Sequence, residues 1–391
     1  MSIAKSAAPI LCVVGARPNF MKIAPIMAAL RATPTPLPVR LLHTGQHYDA
    51  AMKDAFFDQL GIPEPDIDLE VGSATHAIQT AEIMKRFEPV LETERPAAVL
   101  VVGDVNSTIA CALVASKKGV PVIHVEAGLR SYDRSMPEEI NRVLTDQISE
   151  LLFTTERDAH ANLAREGIDD RRVHFVGNVM IDTLLGHLPQ ATPPARIFEM
   201  ASDPSVFLRS PTGYALVTLH RPANVDPPEI LERLLRTLRR VSESIPVVFP
   251  IHPRTRARID SAGLTETLRT RRILELAPLG YLDMLGLMSK AHIVLTDSGG
   301  IQEETTALGI SCLTLRENTE RPITVEQGTN TIVGTDAKRI EAAVLEILGG
   351  RGKAGRIPEF WDGKAAQRIK GVLHDWVNAC APADAARVAG R

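Results

Sequence analysis

The chain has 391 residues, of which 45% are hydrophobic and 23% charged, with a formal net charge of −3. That length asks for two cores rather than one. The slightly acidic balance excludes nucleic acid as the main partner, because a binding face of that kind shows in the charge.

In chain order, the first signal is the apolar run Ile10–Val14. Ala7–Val14 has the look of a signal-peptide core, but Gly15-Ala16-Arg17-Pro18 interrupts it at once, so a buried first strand is the better reading. Similar runs rich in Val, Ile and Leu follow at Val39–His43, Ala98–Val102, Val120–Val125, Leu151–Thr154 and Val173–Val176. Gly186–Thr212, with Pro189, Pro193, Pro194, Pro204 and Pro211, cannot hold a long helix and predicts an interdomain connection. Beyond it come Tyr214–Leu219, Val247–Ile251, His292–Thr296 and Ser311–Leu315, then a helical segment near Gly363–Ala379. The runs do not alternate apolar with polar, which is the pattern of parallel strands covered on both faces. Strand and helix segments alternate, so the fold class is α/β, with two Rossmann-like domains. The expected bounds are 1–185 and 186–375, with a fraying tail at 376–391. Cys12, Cys111, Cys312 and Cys380 lie far apart without a CxxC pattern, and read as core residues in a reducing compartment. No apolar stretch approaches the roughly 20 residues that span a bilayer. A cytoplasmic protein without a membrane partner is expected.

Polar residues collect where the strands end: Asp104, Glu126, Asn178, His220, His252 and Asp297-Ser298. Ligands of open α/β sheets bind beyond those carboxyl ends, so two facing sheets would direct this set into one cleft. Ser298-Gly299-Gly300 opens a helix and could cradle phosphate on its N–H groups; equally it is a tight connection. Arg17 and Lys22 follow the first strand, and Arg221, Arg316 and Arg321 offer cations in the second half; each alone reads as a surface charge. Pro137 marks a helix start, where Glu138 and Arg142 form either an ordinary i,i+4 ion pair or a catalytic carboxylate with its tuning cation. His124-Val125-Glu126 has the H-x-E spacing of zinc deaminases, but no P-C-x-x-C follows, so no metal is expected. Neither a Walker A loop nor GxGxxG is present.

The segments GARPNFMKIAPI, HTGQHYD, VVGDVNST, HVEAGLRS, MPEEINR, GNVMID, TLHRPANV, TDSGGIQEE and RENTERP, in this order, resemble the UDP-N-acetylglucosamine 2-epimerase family. The likeness covers roughly the first 330 residues and rests on the joint order of the motifs. It implies the two-domain GT-B-like fold, a homodimer, and no metal or nicotinamide cofactor. It implies inversion at C2 of UDP-N-acetylglucosamine by elimination of UDP to 2-acetamidoglucal and re-addition. By the resemblance, Asp104, Glu126 and Glu138 match the catalytic carboxylates, with Arg142 beside them. His220, Arg17 and Lys22 match groups at the diphosphate, Ser298, Gly299 and Gly300 the phosphate turn, and Glu304 the ribose ligand. Arg321 matches a further nucleotide contact, and Met284 falls where backbone groups hold the uracil. Gln46, Arg221 and His252 match part of a second, regulatory UDP-N-acetylglucosamine site; as residues, Gln46 and His252 read equally well as helix caps. HRPAN and VGDVNST depart from the commoner HRREN and HGDTTT, which leaves the sugar substituents open. The alternatives are an epimerase of UDP-2,3-diacetamido uronates, a hydrolysing epimerase and a GT-B glycosyltransferase.

Overall fold

The computed structural model describes residues 8–45 and 64–380. They form two compact units, one comprising Met1–Thr183 with Glu359–Arg391 and the other Leu184–Pro358.

The first unit holds strands β1 (Ile10–Val14), β2 (Val39–His43), β3 (Ile67–Asp68), β4 (Ala98–Val102), β5 (Val122–Val125), β6 (Leu151–Thr154) and β7 (Val173–Phe175). All pair in parallel, in the order β3-β2-β1-β4-β5-β6-β7. Every residue of β1 and β4 is buried, as strands covered on both faces require. Helices α1 (Arg17–Arg31), α2 (His76–Glu94), α3 (Asn106–Lys117) and α4 (Pro137–Ile148) belong to this unit. Pro137 stands at the first position of α4, where its missing N–H costs nothing.

The second unit repeats the plan with β8 (Ala215–Thr218), β9 (Val247–Pro250), β10 (Ile273–Leu276), β11 (Ile293–Thr296), β12 (Ser311–Thr314) and β13 (Asn330–Ile332). Their order is β10-β9-β8-β11-β12-β13, again all parallel. Helix α5 (Pro228–Ser244) shows why the layers adhere. Its Leu231, Leu234, Leu235, Leu238 and Val241 recur at helical spacing, and this stripe is buried in the core. Helices α6 (Pro253–Ser261), α7 (Tyr281–Lys290) and α8 (Gly299–Leu308) follow strands β9, β10 and β11.

The second unit begins at Leu184, two residues before the expected bound, and the proline-rich stretch from Gly186 is folded into it. Its Phe198 and Phe207 are buried, and Phe198 stands edge-on to Tyr214 at 5.1 Å. The last helix, α9 (Ala365–Cys380), belongs to the first unit rather than to a domain ending at 375. Ala365, Ala366, Ile369 and Leu373 make a buried stripe there. Asp182 accepts the N–H groups of Ala365 and Ala366 at 3.1 and 2.7 Å, and Trp361 donates its indole N–H to Thr155 O at 3.2 Å. Of the expected tail, residues 376–380 continue α9, and the remainder lies outside the described residues. Among the described residues, no helix is long and apolar enough to cross a membrane.

Candidate functional site

In each sheet the order reverses at one place, between β1 and β4 and between β8 and β11. Beyond the carboxyl ends of those strands lies the natural ligand position of a doubly wound sheet.

In the first unit, β4 runs into Gly103, whose φ of +68° is natural only for glycine, and then into Asp104. Glu126, directly after β5, also has a left-handed backbone with φ +70°. For a non-glycine residue that conformation costs on the order of 1 kcal/mol or more, and it clusters at functional sites. Glu126 is buried, and its Oε2 lies 2.5 Å from the ammonium of Lys22 on α1. Arg17 opens α1 at its first residue. The buried guanidinium of Arg142 reaches Asp104 Oδ2 at 3.5 Å.

The expected pair of Glu138 with Arg142 is replaced by another. Arg142 Nη2 meets Glu139 at 3.2 Å, one residue later, because Glu139 is the one turned inward. Glu139 also accepts from the N–H groups of Ser131 and Tyr132, both at 3.0 Å. It therefore fastens the 131–132 loop to α4, while Glu138 stays half-buried on the first turn. Nothing in the residue pattern distinguishes Glu139 from Glu138; only the helix phase does. Asn141 donates to the Asp104 carbonyl at 2.9 Å, a further contact that the sequence does not announce.

In the second unit, the loop after β8 is arranged around one buried carboxylate, Asp297, at the end of β11. Asp297 accepts the N–H groups of His220 and Arg221 at 3.0 Å each, and the Asn224 amide at 3.2 Å. His220 Nδ1 lies 3.0 Å from Asp297 Oδ1. Burial alone would raise the Asp297 carboxyl, but the His220 hydrogen bond and charge outweigh it and hold the group below the ordinary carboxylate range. With Nδ1 engaged, the half-exposed His220 ring has Nε2 left for another partner.

Ser298 precedes α8 and makes no side-chain cap, so its hydroxyl is not committed to the helix end. A Cβ placed on Gly300 would meet nothing of the protein within 4 Å, so packing does not demand that glycine. Further along α8, Glu303 pairs with Arg321 at 2.9 Å. Glu304 is buried beside Tyr281, whose hydroxyl donates to it at 3.4 Å. Burial, and then the charge of Glu303, push the Glu304 carboxyl up to about 8, so it holds its proton at neutral pH. Glu320 is the opposite case. Burial would raise it, but the two-pronged Arg316 contact at 2.9 and 2.8 Å brings it down to about 2.

Met284 lies in the first turn of α7, with its N–H on the Gly280 carbonyl at 3.0 Å. His252 caps α6, its Nδ1 accepting from Arg254 N–H at 3.2 Å, and its ring centroid lies 5.8 Å from that of His220. Burial and the nearby His220 lower the pKa of His252. Gln46 lies outside the described residues. Among the described residues, no group of three or more His, Cys, Asp or Glu is placed to hold a metal ion.

Two Rossmann-like sheets, one ending in carboxylates set against cations and the other in an oriented histidine beside a glycine turn, define an α/β enzyme class suited to nucleotide-linked substrates. The chain belongs to the UDP-N-acetylglucosamine 2-epimerase family, which residues 28–374 match. It is 42% identical over 367 residues to the UDP-N-acetylglucosamine 2-epimerase of Methanocaldococcus jannaschii, covering 92% of this chain and 97% of that protein. It is 41% identical over 343 residues to the UDP-2,3-diacetamido-2,3-dideoxy-D-glucuronate 2-epimerase of Pseudomonas aeruginosa, covering 87% and 92%. The crystal structure of the Methanocaldococcus jannaschii enzyme in complex with UDP-GlcNAc and UDP superposes with a TM-score of 0.82 at 40% identity, covering 94% of this chain and 99% of that one.

Proposed function

We propose that this protein interconverts UDP-N-acetylglucosamine and UDP-N-acetylmannosamine. C2 of the sugar is next to no carbonyl, so its proton is not acidic enough for simple removal and return. In the proposed route a carboxylate takes the C2 proton as the C1–O bond to UDP breaks. The C–H electron pair becomes the C1=C2 double bond of 2-acetamidoglucal, and UDP leaves with the bonding pair. A proton then reaches C2 from the other face while a phosphate oxygen of UDP re-forms the bond to C1. This chemistry needs acid/base groups near C2 and firm retention of the UDP anion.

The observation that supports it is the placement of Asp104 and Glu126 at the ends of neighbouring strands β4 and β5, each set against a buried cation, Arg142 and Lys22. In this reading Asp104, Glu126 and Glu138 divide the acid/base work, and Arg142 steadies Asp104. His220, oriented by Asp297, serves the diphosphate together with Arg17 and Lys22. The Ser298–Gly300 turn receives phosphate, which would account for a glycine that packing does not require. Glu304 holds the ribose, Arg321, paired with Glu303, makes a further nucleotide contact, and Met284 meets the uracil through its backbone. A cytoplasmic homodimer that feeds polysaccharide synthesis completes the reading.

Changing Asp104, Glu126 or Glu138 to the amide is expected to slow epimerisation by roughly 10²–10⁴-fold while UDP binding persists. Near-normal rates in all three variants would refute the assignment. The Pseudomonas aeruginosa relative is nearly as similar, at 41% identity against 42% for the archaeal one, so epimerisation of a UDP-2,3-diacetamido uronate is the second reading. Parallel assays on the two substrates separate them.

A further inference from the structure

His124 lies in β5, two residues before Glu126, and its ring is fully buried. Its Nε2 is 2.8 Å from the Gly103 carbonyl oxygen, and its Nδ1 is 2.6 Å from Asp146 Oδ1. A carbonyl can only accept, so Nε2 carries the hydrogen and donates to Gly103. Asp146, on α4 and also fully buried, uses its other oxygen to accept from Gly128 N–H at 3.1 Å and Arg130 Nη2 at 2.7 Å. Arg130 continues to Glu166, with its Nε and Nη2 at 2.7 and 2.6 Å from the two carboxylate oxygens. One buried carboxylate therefore ties together β5, the turn after Glu126 and, through His124, the turn that presents Asp104.

A buried network of this kind contributes little net stability compared with apolar packing, but when fully bonded it can fix one geometry. Here the geometry in question is that of the two peptide planes that flank Gly103. The Gly103 N–H is already bonded to Val125 O at 3.0 Å, and the His124 bond holds its carbonyl. With both polar groups of Gly103 held, the direction in which the chain enters Asp104 is set. The left-handed φ of Gly103 gives this turn no steric restraint of its own, so the hydrogen bonds must supply it.

We infer that His124, oriented by Asp146, is a positioning residue for Asp104. It touches no substrate, and its effect on the rate passes through the Asp104 carboxylate. The inference rests on the acid/base role proposed above for Asp104.

A double-mutant cycle in the full-length protein tests it, with conversion of UDP-N-acetylglucosamine followed by proton NMR. His124→Phe keeps the ring but removes the donor. Its kcat is expected to fall by about 10–100-fold, the scale for a misplaced catalytic group, with KM within about 3-fold of normal. His124→Gln, whose amide reaches the Nε2 position and can donate to Gly103, is expected to recover most of the rate. His124→Asn, whose amide reaches only the Nδ1 position, is not. In an Asp104→Asn background, adding His124→Phe is expected to cost less than about 3-fold, because the route through Asp104 is already cut. Equal losses in both backgrounds, or a normal kcat in His124→Phe, would overturn the inference and leave the role of Asp104 standing. A normal rate in Asp104→Asn alone would overturn that role and the inference with it. Should His124→Phe fail to fold, the Gln and Asn variants decide: Gln above Asn supports the inference, and equal or reversed rates overturn it.

Discussion

Replacing Glu304 by Gln is expected to stabilise the ligand-free protein, increasingly so as pH rises. Glu304 is buried on α8, and burial plus the charge of Glu303 lift its carboxyl from the ordinary 4.5 to about 8. Below the ordinary value the group is protonated in both folded and unfolded chains, so it costs nothing. Between 4.5 and about 8 the unfolded chain releases the proton while the folded one keeps it, and stability falls with rising pH. Each tenfold difference in proton affinity is worth about 1.4 kcal/mol, which puts the ceiling near roughly 5 kcal/mol at pH 9. Local relaxation and water entry reduce this to about 2–4 kcal/mol. Gln has nearly the same shape, cannot ionise, and can still accept from the Tyr281 hydroxyl. Its advantage in melting temperature is therefore expected to be near zero at pH 5 and roughly 5–10 °C at pH 9, on the scale of a domain this size. Thermal unfolding followed by circular dichroism at pH 5, 7 and 9 measures this. A difference that does not vary with pH, or a less stable Gln variant at pH 9, would refute the reasoning.

Glu139→Ala is expected to cost about 3–5 kcal/mol in urea unfolding, because it leaves the buried Arg142 without its nearest carboxylate. Glu138→Ala, by contrast, is expected to leave stability within about 0.5 kcal/mol of normal. Asp297→Asn removes a charged acceptor from His220, Arg221 and Asn224, and about 2–4 kcal/mol of stability is expected to go with it at pH 7. Since the folded-state pKa of Asp297 is depressed, the wild-type advantage is present above the ordinary carboxylate range and fades as pH falls below it. Urea titrations at pH 7 and pH 3.5 check both the size and the sign.

The central strands were legible because they are covered on both faces: Ile10–Val14, Ala98–Val102 and Leu151–Thr154 agree residue for residue with β1, β4 and β6. The strands that escaped notice lie at sheet edges. β3 has only two residues, β10 reads Ile-Leu-Glu-Leu between Arg272 and Ala277, and β13 reads Asn-Thr-Ile. With one side unpaired and less apolar surface to bury, an edge strand needs no continuous apolar run. The return of α9 to the first unit was also invisible, since its stripe of Ala365, Ala366, Ile369 and Leu373 would suit either core. The positions of Asp104, Glu126, His220 and Asp297 beyond the ends of β4, β5, β8 and β11 were legible, because backbone topology alone puts them there. Which residue Arg142 would choose depends on helix phase and burial, which a row of two glutamates does not disclose. The link from Asp146 through His124 to Gly103 was hidden for a different reason: it joins a residue on another element to a backbone carbonyl.

The most direct test of epimerisation through a glucal is to incubate the protein with UDP-N-acetylglucosamine in heavy water. Proton NMR then follows the C2 hydrogen, and chromatography follows free UDP. UDP-N-acetylmannosamine is expected to accumulate with deuterium at C2, accompanied by a trace of released UDP. Product that retained its original C2 hydrogen, or substrate left unchanged beside an enzyme that binds UDP, would contradict the proposed function.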